Sequence, residues 1–268
     1  MLSSVRRRRS RLSEAGTVTG RLGGKAALVT GASSGLGRAT AIALAWSGAD
    51  VALVARSEEE LEGTEQEVSK VGRRALVLPT DLANAEEIAV AVERTVGEFG
   101  RVDVLVNAAG TDVPGTVEEL DVGGWDRTLS VNLRAPFLLS KAVFPHMRGA
   151  NGGTIVNVSS VAGKKGWANA AAYCASKFGL TGLTQALADE GRGHGIRAIV
   201  LYPGAMATNW GAFSPEEREE AGEANEVPPP TQVLPPKRVA DLIAWVAASP
   251  PEFVLTEGVV LPIEEGLP

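Results

Sequence analysis

Residues 26–37 read AALVTGASSGLG, a short apolar run that ends on Thr30 and gives way to a turn rich in glycine. Unbroken apolar character over the whole run suits a strand covered on both faces, as in a parallel sheet. The glycines that follow allow a tight turn and let a ligand approach the main chain closely. A helix beginning here would aim its unpaired N–H groups and positive end at that ligand, the arrangement that holds a pyrophosphate. Gly31, Ser33, Ser34, Gly35, Leu36 and Gly37 are therefore expected to cradle a dinucleotide, provided the turn joins the first strand and first helix of a sheet.

The rest of the chain supplies that sheet. AALVT, DVALVA, ALVLP, DVLVNA, TIVNVS and RAIVLYP read as buried strands, and amphipathic segments near 36–47, 58–71, 85–99, 125–147 and 171–192 as the helices between them. This alternation predicts an α/β fold, a Rossmann-like doubly wound parallel sheet with right-handed crossovers, in a single domain over 21–268. The rhythm breaks over 205–236, where the acidic PEEREEAGEANE and the stiff PPPTQVLPP predict a lid over the ligand crevice.

At 44% hydrophobic and 22% charged, the 268 residues carry enough apolar material for one substantial core. A net charge of −6 disfavours nucleic acid and anionic membranes as partners. Residues 1–20 are the exception: Arg6, Arg7, Arg8, Arg9 and Arg11 stand against Glu14 alone, with no apolar residues at helical spacing. A disordered basic tail is expected there. No apolar run approaches the roughly 18 residues of a membrane span, and Cys174 has no second cysteine to pair with. These features predict a cytoplasmic protein, and no metal site is expected.

The residues suited to chemistry lie in SVAGKKGWANAAAYCASK, 160–177. Tyr173 and Lys177 are four apart, which places them on one helix face a turn from each other. A phenol loses its proton near pH 10 and a neighbouring cation favours the phenolate, so Tyr173 is a candidate to exchange a proton with a substrate oxygen. Ser160 follows the strand that ends near Val158, where a hydroxyl can point into a cleft. Such a Tyr–Lys pair by itself usually only decorates a helix; the independent glycine turn gives it weight. A competing reading takes 31–35 as G-x-S-x-G, with Ser33 the nucleophile of a serine hydrolase. It needs a histidine, and His146 and His194 fall near a helix end and in the turn GRGHG.

Together these motifs resemble the short-chain dehydrogenases/reductases, over nearly all of the chain from about residue 22. The family's glycine motif is matched by residues 30–37, its catalytic asparagine by Asn132 in SVNL, and its Ser and Tyr-x-x-x-Lys by Ser160, Tyr173 and Lys177. Its Pro-Gly after the sixth strand is matched by Pro203 and Gly204, with Thr208 beyond. The common Asn-Asn-Ala-Gly reads here Asn107, Ala108, Ala109, Gly110, a departure expected to alter a structural hydrogen bond. The resemblance implies that Tyr173 is the general acid or base, and that Lys177 lowers its pKa and holds the nicotinamide ribose. Ser160 would bond the substrate oxygen and Asn132 would hold a proton-relaying water. Further cofactor contacts are implied at Asp81, Leu82, Asn107, Ala108, Gly110, Pro203, Gly204 and Thr208. So is a homo-oligomer, dimer or tetramer, paired through the long fourth and fifth helices. A catalytically silent dinucleotide-binding protein is disfavoured because all four active-site positions are filled.

The end of the second strand, DVALVARS, bears on the cofactor. An NAD site places a carboxylate there for the ribose 2′-OH, whereas a 2′-phosphate needs a cation. Ala55 stands in the acidic position and Arg56 follows, which predicts NADP(H), with Arg38 a lesser contributor. Trp167, Met206, Trp210 and Phe213 are candidates to line an apolar substrate pocket. An acidic lid would repel an acidic carrier protein. A free small-molecule carbonyl or secondary alcohol is thus the preferred substrate, and 3-oxoacyl-(acyl carrier protein) reduction the alternative.

Overall fold

A computed structural model describes residues 21–208 and 231–266. The tail expected over 1–20 and most of the expected lid, including Trp210 and Phe213, lie outside the described residues. The strands are β1 (Ala26–Thr30), β2 (Asp50–Ala55), β3 (Ala75–Pro79), β4 (Val104–Asn107), β5 (Gly153–Val158), β6 (Ile196–Pro203) and β7 (Glu257–Val260). They form one parallel sheet in the order β3-β2-β1-β4-β5-β6-β7. The helices α1 (Gly35–Trp46), α2 (Glu58–Lys70), α3 (Ala85–Phe99), α4 (Val122–Leu129), α5 (Ala135–Gly149), α6 (Ala171–Arg192) and α7 (Pro236–Ala248) cover it. Among the described residues, no helix is long and apolar enough to cross a membrane.

Successive side chains of a strand point to opposite faces, and here both faces are apolar. Val29, Leu53, Val106 and Val156 pack with Leu44 of α1 and Ile243 of α7, while Leu28, Val54, Leu105 and Ile155 pack with Ile88 of α3 and Leu139 of α5. Each such side chain contributes about 1.5–3 kcal/mol by leaving water. The chain adds strands outward from β1 to β3, then returns to the other side of β1 with β4. At that reversal the connections diverge, leaving a crevice above the carboxyl ends of the strands.

Most of the early helices begin with a side-chain cap. Ser57 accepts the Glu60 N–H before α2, Asn84 accepts those of Glu86 and Glu87 before α3, and Asp121 accepts that of Gly124 before α4. Such caps are worth about 1 kcal/mol each. Before α1, Ser34 makes no side-chain cap bond and the first turn carries no acid.

The structure departs from the sequence reading in two places. The helix expected over 125–147 is two helices, α4 and α5, joined by a π turn, Ser130–Arg134. Pro136 accounts for the break: it has no N–H to offer the Asn132 carbonyl four residues back, and its ring crowds that carbonyl. The alternation also continues past the sixth strand, into α7 and β7. Val239, Ile243 and Val246 form the buried stripe of α7. Edge strand β7 is anchored through Glu257, which pairs with Lys164 and accepts from the Tyr202 hydroxyl.

Candidate active site

The crevice is a cavity of about 860 Å³ that runs from the glycine turn to Tyr173. At the turn, Gly31 has φ 68° and a Cβ on it would come within 3.0 Å of the Ala109 main chain. A Cβ on Gly37 would lie 2.1 Å from the Gly31 carbonyl oxygen, so no side chain fits between helix and turn. The uncapped start of α1 leaves main-chain donors aimed at the cavity, and Ser33, Ser34, Gly35 and Leu36 line it. These residues fit a pyrophosphate: an anion there meets N–H groups and the positive end of a helix, with no acid in its first turn.

Residues beside the turn divide into those that reach the cavity and those that support it. Ala108 and Gly110 line it, and the Thr30 hydroxyl accepts the N–H groups of Ala108 and Ala109, both at 3.1 Å. Asn107, expected to contact the cofactor, is instead buried and donates to Asn157 Oδ1 at 2.7 Å; Asn157 in turn donates to Thr184. It fastens β4 to β5 and does not line the cavity.

At the end of β2, Ala55, Arg56 and Ser57 line the cavity, as do Asp81 and Leu82 after β3. Arg38 does not line it; it is exposed on α1, within the field of Glu67. Two charged lining groups are absent from the sequence reading. Glu60, in the first turn of α2, adds an anion to the cavity wall that Arg56 also lines. Arg127 of α4 holds Asp81 in a two-pronged pair, with Nη1 3.1 Å from Oδ2 and Nη2 3.3 Å from Oδ1. Burial opposes ionisation of Asp81, but the Ala83 N–H and Arg127 outweigh it and hold the carboxyl below its usual range.

At the other end of the cavity stand Ser160, Trp167, Tyr173 and Lys177; Pro203, Gly204 and Met206 border it from the end of β6 onward, and Thr208 reaches back to the turn, where a Cβ on Gly35 would lie 3.3 Å from its methyl. Ser160 caps a 3-10 turn by accepting the Ala162 N–H at 3.2 Å, which fixes its hydroxyl beside Tyr173. Lys177 donates to the Val158 carbonyl at 2.9 Å, and its Nζ lies 5.5 Å from the centre of the Tyr173 ring. The helix thus brings phenol and ammonium together as the i, i+4 spacing predicts.

Their ionisation differs from the sequence expectation. Burial pushes the Tyr173 phenol up to about 12, against a hydrogen bond with Ser160 that pulls it down; the charges of Asp112 and Cys174 push it further up. Burial likewise brings the Lys177 ammonium down to about 8. Desolvation penalises the charged form of each and dominates both shifts.

Asn132 does not line the cavity. Its side chain is fully engaged: Oδ1 accepts the Thr111 N–H and Nδ2 donates to the Thr111 carbonyl, both at 2.8 Å, while Nδ2 also reaches Ser176 Oγ at 3.1 Å. Thr111 lines the cavity, so Asn132 acts on it through the loop it holds. A hydrolase centred on Ser33 does not form. Ser33 lies at the carboxyl end of β1, whereas His146, near the end of α5, precedes β5 and His194 directly precedes β6. Both histidines therefore stand at the amino ends of the strands, His194 edge-on to Phe144 at 6.3 Å.

A family model described as short chain dehydrogenase matches residues 25–219. Cis-4-hydroxycyclohexanecarboxylate dehydrogenase of Sinomonas cyclohexanicum is 35% identical over 243 residues, 90% of this chain and 96% of its own. Among solved structures, a metagenomic short-chain oxidoreductase in complex with NADP aligns with a TM-score of 0.78 at 36% identity, covering 90% of this chain and 98% of that one. Carveol dehydrogenase from Mycobacterium avium in complex with NAD aligns with a TM-score of 0.81 at 26% identity, covering 91% and 98%. Likeness over this much of the chain, on the sheet and crevice described above, makes the chain a member of the short chain dehydrogenase family of oxidoreductases.

Proposed function

We propose that the chain is an NADP(H)-dependent enzyme that interconverts a free small secondary alcohol and its carbonyl, with Tyr173 as the proton-transfer group. The observation that carries this is one cavity with a main-chain anion cradle at one end and, at the other, a phenol bonded to Ser160 and backed by Lys177. The bound nicotinamide supplies or takes up the hydride. Gly31, Ser33, Ser34, Gly35 and Gly37, with Thr208 beside Gly35, would hold its pyrophosphate, Asp81 and Leu82 would border the adenine, and Pro203 and Gly204 would face the nicotinamide end. Lys177, which lines the cavity, would bond its ribose.

Ser160 donates to the substrate oxygen, and Tyr173 gives that oxygen a proton during reduction or takes one during oxidation. A phenol held up to about 12 is protonated at neutral pH, so the site is set for reduction there and for oxidation in alkali. Asn132 is a positioning residue. Its main-chain carbonyl, denied a donor by Pro136, is the part of it suited to hold a water.

NADP(H) is favoured by the methyl of Ala55 and the guanidinium of Arg56, against the opposing charge of Glu60. The two aligned structures carry NADP and NAD, so the reading of NADP(H) rests on the residues at the end of β2. Two of the three named relatives are dehydrogenases of free alcohols, which supports a free small substrate over a carrier-bound one. Phe137 of α5 and Phe178 of α6, both about half exposed, support assembly of copies through these helices.

The test is nicotinamide absorbance with a panel of alcohols and ketones, alongside titration of both reduced cofactors. Turnover with NADPH bound more tightly than NADH is expected. Silence across the panel overturns the activity, and tighter NADH binding overturns the cofactor.

A further inference from the structure

We infer that Arg127 sets the base specificity of the crevice: it holds Asp81 in the cavity wall as a fixed hydrogen-bond acceptor, which selects a 6-aminopurine nucleotide over a 6-oxopurine one. This rests on the proposed dinucleotide site and names the residue through which that site reads the base.

Asp81 stands two residues past β3 and Arg127 in α4, and both line the cavity. The sheet order β3-β2-β1-β4-β5 sets Asp81 on one side of the glycine turn and Ser160, two residues past β5, on the other. A dinucleotide with its pyrophosphate at the turn and its nicotinamide by Ser160 and Tyr173 therefore sends its other base toward Asp81. With 38% of each side chain open to solvent, the Asp81–Arg127 pair adds little to stability, but a base can reach it.

The contacts of Asp81 leave one kind of group on offer. A carboxylate has about four acceptor positions. Oδ1 takes the Ala83 N–H at 3.0 Å and Arg127 Nη2 at 3.3 Å, whereas Oδ2 takes only Arg127 Nη1 at 3.1 Å. Among the described residues, the unused position lies on Oδ2. The carboxylate cannot swing to hide it, because Arg127 grips both oxygens from α4 and the Asp81 N–H is tied to Glu87 Oε2 at 2.7 Å. Nor can it offer a proton in place of a lone pair: a guanidinium has donors only, so a protonated Asp81 would lose one prong of the pair. A 6-amino group donates to such an acceptor, whereas a 6-oxo group only accepts and meets it lone pair against lone pair. Asp81 makes the contact, and Arg127 is the positioning residue that gives it one direction and one sign.

Dissociation constants of NADPH, NADH and their deamino forms, in which hypoxanthine replaces adenine, are read from the fluorescence of the reduced nicotinamide for wild type, Arg127→Met and Arg127→Lys. Wild type is expected to bind the adenine cofactor it prefers about tenfold more tightly than the deamino form, the usual worth of one charge-assisted hydrogen bond. Arg127→Met should bring that ratio to within about twofold, because a carboxylate released from the fork can turn from a 6-oxo group toward water. Arg127→Lys returns the charge as a single point without the fork. Its ratio should fall between the other two, and it carries the test if the methionine variant does not fold. A merely structural arginine would weaken adenine and hypoxanthine cofactors by the same factor. That result overturns the inference, as does a wild type indifferent to the base, and either leaves the dinucleotide site standing because the cofactors still bind. Binding of none of the four removes that site and this inference together.

Discussion

The two ends of the crevice are built from opposite materials. At the glycine turn the site is main chain: Gly37 packs so closely on the Gly31 carbonyl that a Cβ has no room, and the uncapped start of α1 presents its N–H groups. At the other end it is side chain, a phenol and an ammonium drawn out of water, each with its charged form penalised. In the first region the geometry that binds is also the geometry that packs. In the second, the groups proposed to react are held with their charged forms disfavoured by burial. Function and stability should therefore fall together at the turn and move apart at Tyr173 and Lys177.

The sharpest way to break this contrast is Tyr173→Phe. Losing the hydroxyl while keeping the ring should lower kcat by about 10²–10⁴-fold, the usual contribution of a positioned acid or base. Cofactor affinity and resistance to urea should stay close to wild type. If the variant unfolds as readily as one altered at the turn, the two regions are not distinct. Next in size, Gly37→Ala should cost about 1–3 kcal/mol in urea unfolding, and weaken binding of either cofactor by about tenfold or more as α1 is displaced. Full stability with lost binding would show that the cradle and the packing are separable after all.

The same contrast explains what was legible in the sequence. Main-chain sites announce themselves through glycine, and strands buried on both faces through continuous apolar runs, so β1 to β6, the turn and the sheet type could all be read. The i, i+4 spacing likewise placed Lys177 under Tyr173. What could not be read were pairings between distant segments. Arg127 meets Asp81 across 46 positions, and the amide of Asn132 closes on Thr111 across 21. Asn107 sits in a motif that borders the cavity, yet it faces Asn157 across the sheet, which only the register reveals. The ionisation of Tyr173 and Lys177 was misjudged because spacing reports proximity but not burial. The break at Pro136 was a missed signal: a proline inside a long apolar period announces it. The start of α7 was another, since the Pro235–Pro236 pair before its apolar stripe fits a helix opening with proline in its first turn.

Lys177→Met measures what the reactive end costs the fold. An ammonium lowered from 10.5 to about 8 by burial represents a penalty on the order of 3 kcal/mol at neutral pH. Loss of its bond to the Val158 carbonyl takes back part of that. A net gain of about 1–2 kcal/mol in urea unfolding at pH 7 is expected, with turnover lost. The sign with pH is definite. Between about 8 and 10.5 the unfolded chain binds a proton that the folded Lys177 has released, so wild type gains stability over that range. The advantage of the variant should accordingly shrink toward pH 10. Tyr173 works in the opposite direction only above its ordinary value of 10.0, at the top of this window, and does so in wild type and variant alike. A variant less stable than wild type at pH 7 would mean that the lysine holds the site together.

The smallest effect concerns the one place where the main-chain end depends on a side chain for its selectivity. Arg56 is exposed where it lines the cavity, so its charge is screened, and its partner would be a single phosphate. Arg56→Ala should weaken NADPH about five- to tenfold and leave NADH within about twofold, a difference readable by titration at low salt. Glu60 lines the same wall with opposite charge, so Glu60→Gln should tighten NADPH and leave NADH nearly unchanged. These two substitutions should alter neither stability nor kcat, because the fold does not lean on exposed charges at this rim. If Arg56→Ala weakens both cofactors equally, the arginine holds the nucleotide without reading its phosphate. The whole of the turn end would then recognise a dinucleotide through its main chain alone.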